Sequence, residues 1–461
     1  MNVSSENRGQ WGSKFGFIMA AAGSAVGLGN IWRFPYITGQ NGGGAFVIIY
    51  ILCVLLIGVP LLFTEIGLGR FTKKSTIGAF KDTGANNVWM GAGAILALCV
   101  SFFVLSYYGV IAGWTIGYVY KTLIGTASGF EAFAANGFAS VSLLGAFMFV
   151  TVLIVLGGVS GGIEKAAKIL MPILFVLIFV VAIRSLMLEG AMAGVEFYLK
   201  PDFSKVTPNS ILAALGQAFF SMSIGWGIMI TYGSYLPKDS NLVESGVYVG
   251  LMDTGIALLS GFMIFPAVFA FGKSPEAGPT LVFQVLPDIF SSMPGGNIIG
   301  ALFFLLLMVA ALTSSISMLE VPASYFIDEK KWSRKKSAWV VGIAAFVVGV
   351  PSALSHGASD LFSNMSITLP WTNAIVGFQE IVDYFFGTFF IVVVALTTCL
   401  YVAWKLPIEN IVSELDQGSP AFKAGNFASR AFVFFIRFVC PTVILLVLLN
   451  MLGVFGIFAG A

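Results

Sequence analysis

The chain has 461 residues, of which 58% are hydrophobic and 10% charged, with 24 Lys and Arg against 22 Asp and Glu. Soluble domains carry about 25% charged residues, so this composition, with a mean hydropathy of +0.94, excludes a soluble globular protein. The net charge of +2 says little about partners, since in a membrane protein the placement of Lys and Arg matters and not their sum, and no nucleic-acid patch is expected.

Apolar runs longer than the ~18 residues that cross a bilayer predict eleven spans, at about 12–36, 42–70, 88–120, 138–157, 166–187, 209–236, 241–271, 297–327, 337–355, 375–404 and 431–458. Arg8 and Lys14 ahead of Phe15 give the first span the outline of a signal peptide. It runs instead into the polar, Gly-rich stretch Gly23-Ser24-Ala25-Val26-Gly27-Leu28-Gly29-Asn30-Ile31-Trp32-Arg33-Phe34-Pro35. In hydrocarbon every backbone N–H and C=O needs an internal partner, so a helix breaks at bilayer depth where a substrate or ion takes the freed groups.

Five spans later Phe220-Ser221-Met222-Ser223-Ile224-Gly225-Trp226-Gly227 interrupts the sixth span. Two broken helices at matching places in two five-span halves predict an inverted-repeat transporter, with 12–187 and 209–404 as repeats and 431–458 as a peripheral helix. Gly and Pro alone would only kink such helices, but both breaks also carry hydroxyl or amide side chains.

The eighth span places Ala310, Thr313, Ser314 and Ser317 at i, i+3, i+4 and i+7, a small polar stripe on one helix face. A close helix–helix contact of small residues is the other reading of that stripe. Asp253, in Gly250-Leu-Met-Asp-Thr-Gly255, has no basic residue in neighbouring spans to form a structural ion pair, and intramembrane acids are costly unless functional. Glu65 reads as a partner for the backbone freed at the breaks, whereas Glu320 takes no role from the sequence. Cys53, Cys99, Cys399 and Cys440 each lie in apolar runs and read as small buried hydrophobes. The single histidine, His356, leaves no material for a zinc or iron centre or a Ser/His/Asp arrangement.

With the N-terminus in the cytoplasm, seventeen Lys and Arg fall on the inside and five on the outside, as the positive-inside rule requires, and eleven spans place the C-terminus outside. Arg33 and Arg437 lie within spans.

The stretches Ala25–Pro35, Asn41-Gly-Gly-Gly-Ala-Phe46, Tyr107-Tyr108 before Gly113-Trp114, Gln217–Gly225, Thr231-Tyr-Gly-Ser-Tyr235 and Leu312-Thr-Ser-Ser-Ile316 cover nearly the whole length. Together they resemble the neurotransmitter:sodium symporter family in its shorter, eleven-span bacterial branch. The resemblance implies an all-α, polytopic, LeuT-like fold with helices 1 and 6 broken at the midplane. It implies one sodium ion held by the carbonyls of Ala25 and Ser221, the Asn30 side-chain oxygen, the Ser221 hydroxyl, Asp253 and the substrate carboxylate. A second would lie between the carbonyls of Gly23, Val26 and Ala310 and the hydroxyls of Thr313 and Ser314.

The exposed N–H groups near Leu28 and Gly29, with a Tyr108 hydroxyl, suit a substrate carboxylate. Carbonyls of Ala25, Phe220 and Ser221 and the Ser223 hydroxyl suit its ammonium. By the same resemblance Val104, Phe220, Trp226, Ser317 and Met318 form the side-chain pocket and favour a hydrophobic or aromatic amino acid. Trp226 departs from the pattern, which has a smaller aromatic ring there. Arg33 and Asp383 would pair as an outer gate, with Tyr108 and Phe220 as a lid. Arg8 and Asp328 would pair as an inner gate, packed by Trp11, Ser234 and Tyr235.

The function implied is sodium-coupled import of an amino acid by alternating access in a bacterial inner membrane. Chloride is not required, because Asp253 supplies a charge that many chloride-dependent animal members lack. A proton-coupled or exchange-type carrier of the same fold is the alternative, and it would lack the Thr313-Ser314 hydroxyl pair. An ion channel fits poorly with two non-identical breaks. An intramembrane enzyme fails for want of a nucleophile–base pair, and an ATP-driven pump for want of a Walker A run. The partners implied are the amino acid, sodium ions and the lipid bilayer; the oligomeric state stays open.

Overall fold

The computed structural model describes residues 9–127, 129–275, 282–368 and 375–454. Among them, nine helices are long and apolar enough to cross a bilayer: Gly44–Thr72, Asn87–Leu123, Gly137–Leu156, Val159–Leu186, Leu242–Ala270, Gly296–Asp328, Arg334–Leu354, Phe378–Trp404 and Phe427–Met451. The first expected span is a bent pair, Lys14–Ala25 and Gly29–Gln40, turned by 49° at the break. The sixth is also two pieces, Pro208–Ser221 and Ile228–Ser234, each too short to cross alone at 1.5 Å per residue. Counting both broken helices as crossings gives the eleven expected from hydropathy.

Polar residues set where these helices start. Ser13 Oγ accepts the Gly16 N–H at 3.0 Å, and Asn241 Oδ1 accepts the Glu244 N–H at 3.0 Å. Thr207 and Ser210 cap one another reciprocally ahead of the first half of the sixth span, with Pro208 at its first position, where no N–H is missed.

The third and eighth spans pack together along their length, flanking the two broken helices. In the eighth span 72% of the most apolar window is buried, against 33% in the eleventh, so the eleventh lies at the periphery and faces lipid. Short surface elements absent from the sequence reading are helices Thr76–Asp82, Ala191–Leu199, Val285–Ser292 and Ile408–Asp416. An antiparallel hairpin pairs Ser366–Thr368 with Ile375–Gly377, so the tenth helix begins at Phe378 instead of 375. The cysteines are all free, three buried and Cys99 partly so.

Candidate functional site

The first helix loses its α-helical geometry after Ala25, where Val26 is extended (φ −74°, ψ 102°). The polar groups released there find partners within the break and on other spans. Leu28 N–H donates to the Tyr108 hydroxyl at 3.3 Å and Gly27 N–H to Asn30 Oδ1 at 3.2 Å. The Ser24 carbonyl accepts from Ser314 Oγ and from Ser223 Oγ, both at 3.1 Å, and the Val26 carbonyl lies 3.5 Å from Ser314 Oγ. Gln217 Nε2 reaches the Gly29 carbonyl at 2.9 Å and Ser260 Oγ the Asn30 carbonyl at 2.6 Å. A side chain at Gly27 would meet Ser314 Oγ at 2.5 Å, so only glycine lets the backbone approach this closely.

The second break is held in the same way. Gly225 N–H donates to Glu65 Oε1 at 2.8 Å, Ser101 Oγ donates to the Trp226 carbonyl at 2.6 Å, and Thr76 Oγ1 to the Gly227 carbonyl at 2.9 Å. Gly225 and Gly227 have φ of +83° and +72°, which glycine adopts freely. Ser223 sits at φ +54°, a left-handed conformation that costs a non-glycine residue ~1–3 kcal/mol and is tolerated where surrounding contacts enforce it. Its hydroxyl bond to Ser24 is such a contact, and it joins the two breaks directly.

Two oxygen-rich clusters flank this junction. In the first, the fully buried Asp253 accepts from Ser221 Oγ at 2.9 and 2.8 Å and from Asn30 Nδ2 at 2.7 Å, while Tyr50 donates to Ser221 Oγ at 3.2 Å. No basic side chain pairs with Asp253 among the described residues. In the second, Ser314 meets the Ser24 and Val26 carbonyls. Thr313 Oγ1 turns to its own helix at Ala310 (2.9 Å), and its Cβ lies where a side chain on Gly23 would touch it, at 3.2 Å.

Between the clusters, Ser24 and Ser317 share a 2.7 Å hydrogen bond. Phe220 packs edge-on against Trp226 with centroids 5.4 Å apart, and it covers Gly29, where a Cβ would fall 2.7 Å from its ring. Val104 and Met318 are buried in the same core, and the indole N–H of Trp226 is buried with no hydrogen-bond partner among the described residues.

The expected outer ion pair is not formed. Arg33 Nη1 donates to Gln217 Oε1 at 3.2 Å and its guanidinium lies 4.8 Å over the Phe220 ring, whereas Asp383 accepts from the Tyr107 hydroxyl. Each charge has found a nearer neutral partner, and a cleft of about 300 Å³ opens beside Arg33 and Phe220 against Gly387 and Ile391. On the opposite face Trp11 is buried. Its indole N–H donates to the Tyr232 carbonyl at 2.9 Å, its backbone N–H reaches the Tyr235 carbonyl at 3.3 Å, and its ring packs on both tyrosines. Asp328 accepts the Ser75 N–H at 2.7 Å, and Ser234 Oγ bonds the Thr231 carbonyl. Arg8 lies outside the described residues.

A model of the sodium:neurotransmitter symporter family matches residues 8–128 and 127–456. The chain belongs to this family. It is 41% identical over 457 residues to the sodium-dependent transporter YhdH of Bacillus subtilis (strain 168), spanning 96% of this chain and 98% of that one. A sodium-dependent transporter of Methanocaldococcus jannaschii is 33% identical over 423 residues, 86% of this chain and 82% of its own length. Among solved structures, MhsT in complex with L-phenylalanine superposes with a TM-score of 0.86 at 40% identity, covering 96% of this chain and all of that one. The chain is thus a multi-pass, sodium-dependent transporter of LeuT-like fold and not an enzyme, in line with the sequence reading.

Within this symporter three details depart from that reading. The Asn30 amide turns its nitrogen, not its oxygen, toward Asp253 and Ser221, because an ionised carboxylate only accepts hydrogen bonds and the amide N–H groups fill it. The Arg33–Asp383 pair is open, as described. Glu320 does have partners: the Tyr235 hydroxyl at 2.6 Å and the guanidinium of Arg334, at the start of the ninth span. Tyr50, Ser101, Ser260 and Thr76 also contact the breaks and were missed, each being a lone polar residue whose helix face only packing reveals.

Proposed function

We propose that this symporter imports an amino acid with a hydrophobic or aromatic side chain, coupled to two sodium ions, by alternating access. The observation that carries the reading is the junction of the two broken helices, where Ser223 Oγ donates to the Ser24 carbonyl at 3.1 Å with an oxygen cluster on either side. Sodium is a hard cation that prefers oxygen ligands. One ion would sit with Ala25, Asn30, Ser221 and Asp253 and the substrate carboxylate, once the Asn30 amide has turned its oxygen inward. The other would sit with Gly23, Val26, Ala310, Thr313 and Ser314.

The substrate carboxylate would take the place of the present Leu28–Tyr108 contact, at the positive end of the second half-helix. Its ammonium would meet Ala25, Phe220, Ser221 and Ser223. Val104, Phe220, Trp226, Ser317 and Met318 would surround the side chain. The likeness to MhsT, whose structure holds L-phenylalanine, supports an aromatic substrate.

Coupling supplies the driving force, since each charge crossing the field is worth about 2.3 kcal/mol per 100 mV. The repeats 12–187 and 209–404 would rock about the site, closing Arg33 and Asp383 over it while the seal at Trp11, Ser234, Tyr235, Asp328 and Arg8 opens. Asp253 supplies the fixed charge, so chloride is not needed. The placement is a bacterial inner membrane, N-terminus inside and C-terminus outside. Uptake of radiolabelled phenylalanine into proteoliposomes tests this: a sodium gradient should drive accumulation, and equal accumulation with a proton gradient alone would favour the proton-coupled alternative.

A further inference from the structure

Arg437 lies inside the eleventh, lipid-facing span, in a wide π turn over Phe435–Val439. Its Nε is buried with no hydrogen-bond partner, and no carboxylate forms an ion pair with it among the described residues. The ring of Trp404 has its centroid 5.9 Å from the guanidinium carbon. A charged residue at membrane depth is expensive and calls for a counter-charge. Glu414 cannot serve, because Arg70 holds it at 2.6 Å.

Arg437 lines a cleft of about 440 Å³ between its own helix and the amphipathic helix Ile408–Asp416. The size falls within the ~300–1,000 Å³ of sites for small ligands. Arg430, Glu409 and Asp416 line the same cleft, with Val412, Val433 and Phe438 as apolar wall. Arg430 gives its Nε to the Gly425 carbonyl at 2.7 Å, and among the described residues neither arginine forms an ion pair with either acid. Phe434 and Phe438, which line the cleft, are 55% and 51% exposed, so it opens sideways to lipid, on the face that carries the excess of basic residues.

We propose that this cleft binds one phospholipid with an amine headgroup, of the phosphatidylethanolamine type. The phosphate lies on Arg437 and Arg430, whose planar donors suit a phosphate oxygen pair. The headgroup ammonium meets Glu409 and Asp416, and an acyl chain follows Val433 and Phe438. The two acids decide the class of lipid: a purely anionic headgroup would face two carboxylates, and a quaternary choline has no N–H to give them. Basic clefts between helices on this side of a membrane are known headgroup sites in general, and nothing in the proposal depends on which amino acid is transported.

The test is native mass spectrometry of the purified full-length protein during graded delipidation, followed by back-titration with phosphatidylethanolamine, phosphatidylglycerol or phosphatidylcholine. One ethanolamine lipid should persist, bound about tenfold more tightly than either competitor, or ~1.4 kcal/mol. Arg437→Gln should lose it, and Glu409→Gln with Asp416→Asn should keep a lipid but favour phosphatidylglycerol. If Arg437→Gln does not fold, the carboxylate variant still decides the question. Unchanged lipid retention in Arg437→Gln, or an unchanged headgroup preference in the carboxylate variant, would overturn the proposal.

Discussion

Replacing Thr313 with Val and Ser314 with Ala together keeps the packing volume of the eighth span nearly constant and deletes two hydroxyls from the proposed second sodium site. Ser314 Oγ now reaches the Ser24 carbonyl at 3.1 Å and the Val26 carbonyl at 3.5 Å, and Thr313 Oγ1 reaches Ala310 at 2.9 Å. An ion would replace these bonds with oxygen–sodium contacts, so the variant loses two ligands. The carbonyls at the break also lose the donors that serve them when the ion is absent. The loss of those donors bears on the ion-free state and would by itself favour the ion, so the weakening comes from the two lost oxygen ligands and is expected to be about tenfold or more, ~1.4 kcal/mol upward. The assay is amino-acid binding to purified protein across a sodium titration, with thermal melts to check folding. A half-saturating sodium concentration equal to that of the unmodified protein would reduce the stripe of Ala310, Thr313, Ser314 and Ser317 to helix packing.

Three further outcomes are expected. Asp253→Ser should weaken sodium coupling and create a chloride requirement, whereas the unmodified protein should transport equally in chloride and gluconate; a chloride requirement before mutation would refute the role given to Asp253. Asp383→Asn should cut transport at least tenfold (~1.4 kcal/mol or more) while equilibrium binding changes by only a few-fold, since Leu28, Tyr108 and Ser223 are untouched; full transport would remove Asp383 from the gate. His356 packs 4.8 Å from the Trp114 ring and hydrogen-bonds Gln379 at 3.1 Å, and burial pushes its pKa below the usual 6.5. The unfolded chain therefore binds more protons, so this contribution is complete above about pH 6.5 and lost as pH falls through the folded value. Melting curves of His356→Gln should be flatter than those of the parent on the acid side, and identical slopes would refute the assignment.

Both breaks were legible from the sequence because a run of Gly, Ser and Asn inside an apolar span has no bland explanation in hydrocarbon. Hydropathy also placed the spans, since membrane length demands long apolar runs. The partners of the breaks were harder to see. Tyr50, Ser101, Ser260 and Thr76 are single polar residues in apolar surroundings, and their helix faces emerge only from packing against another span. Glu320 gained its meaning from Arg334, which lies fourteen positions on in the next helix and looks from the sequence like one of several loop cations. Arg33 and Asp383 each turn to a partner supplied by another span, Gln217 and Tyr107, and the Asn30 amide depends on which donors surround a carboxylate, so neither was readable from residue identity.

The central claim is that the junction of the broken helices binds an aromatic or aliphatic amino acid together with sodium. Equilibrium binding of radiolabelled phenylalanine to the purified protein, in sodium and then in potassium at equal ionic strength, tests it most directly. The account predicts saturable binding in sodium, displaced by unlabelled hydrophobic amino acids, and little binding in potassium. Equal binding in both salts would contradict it.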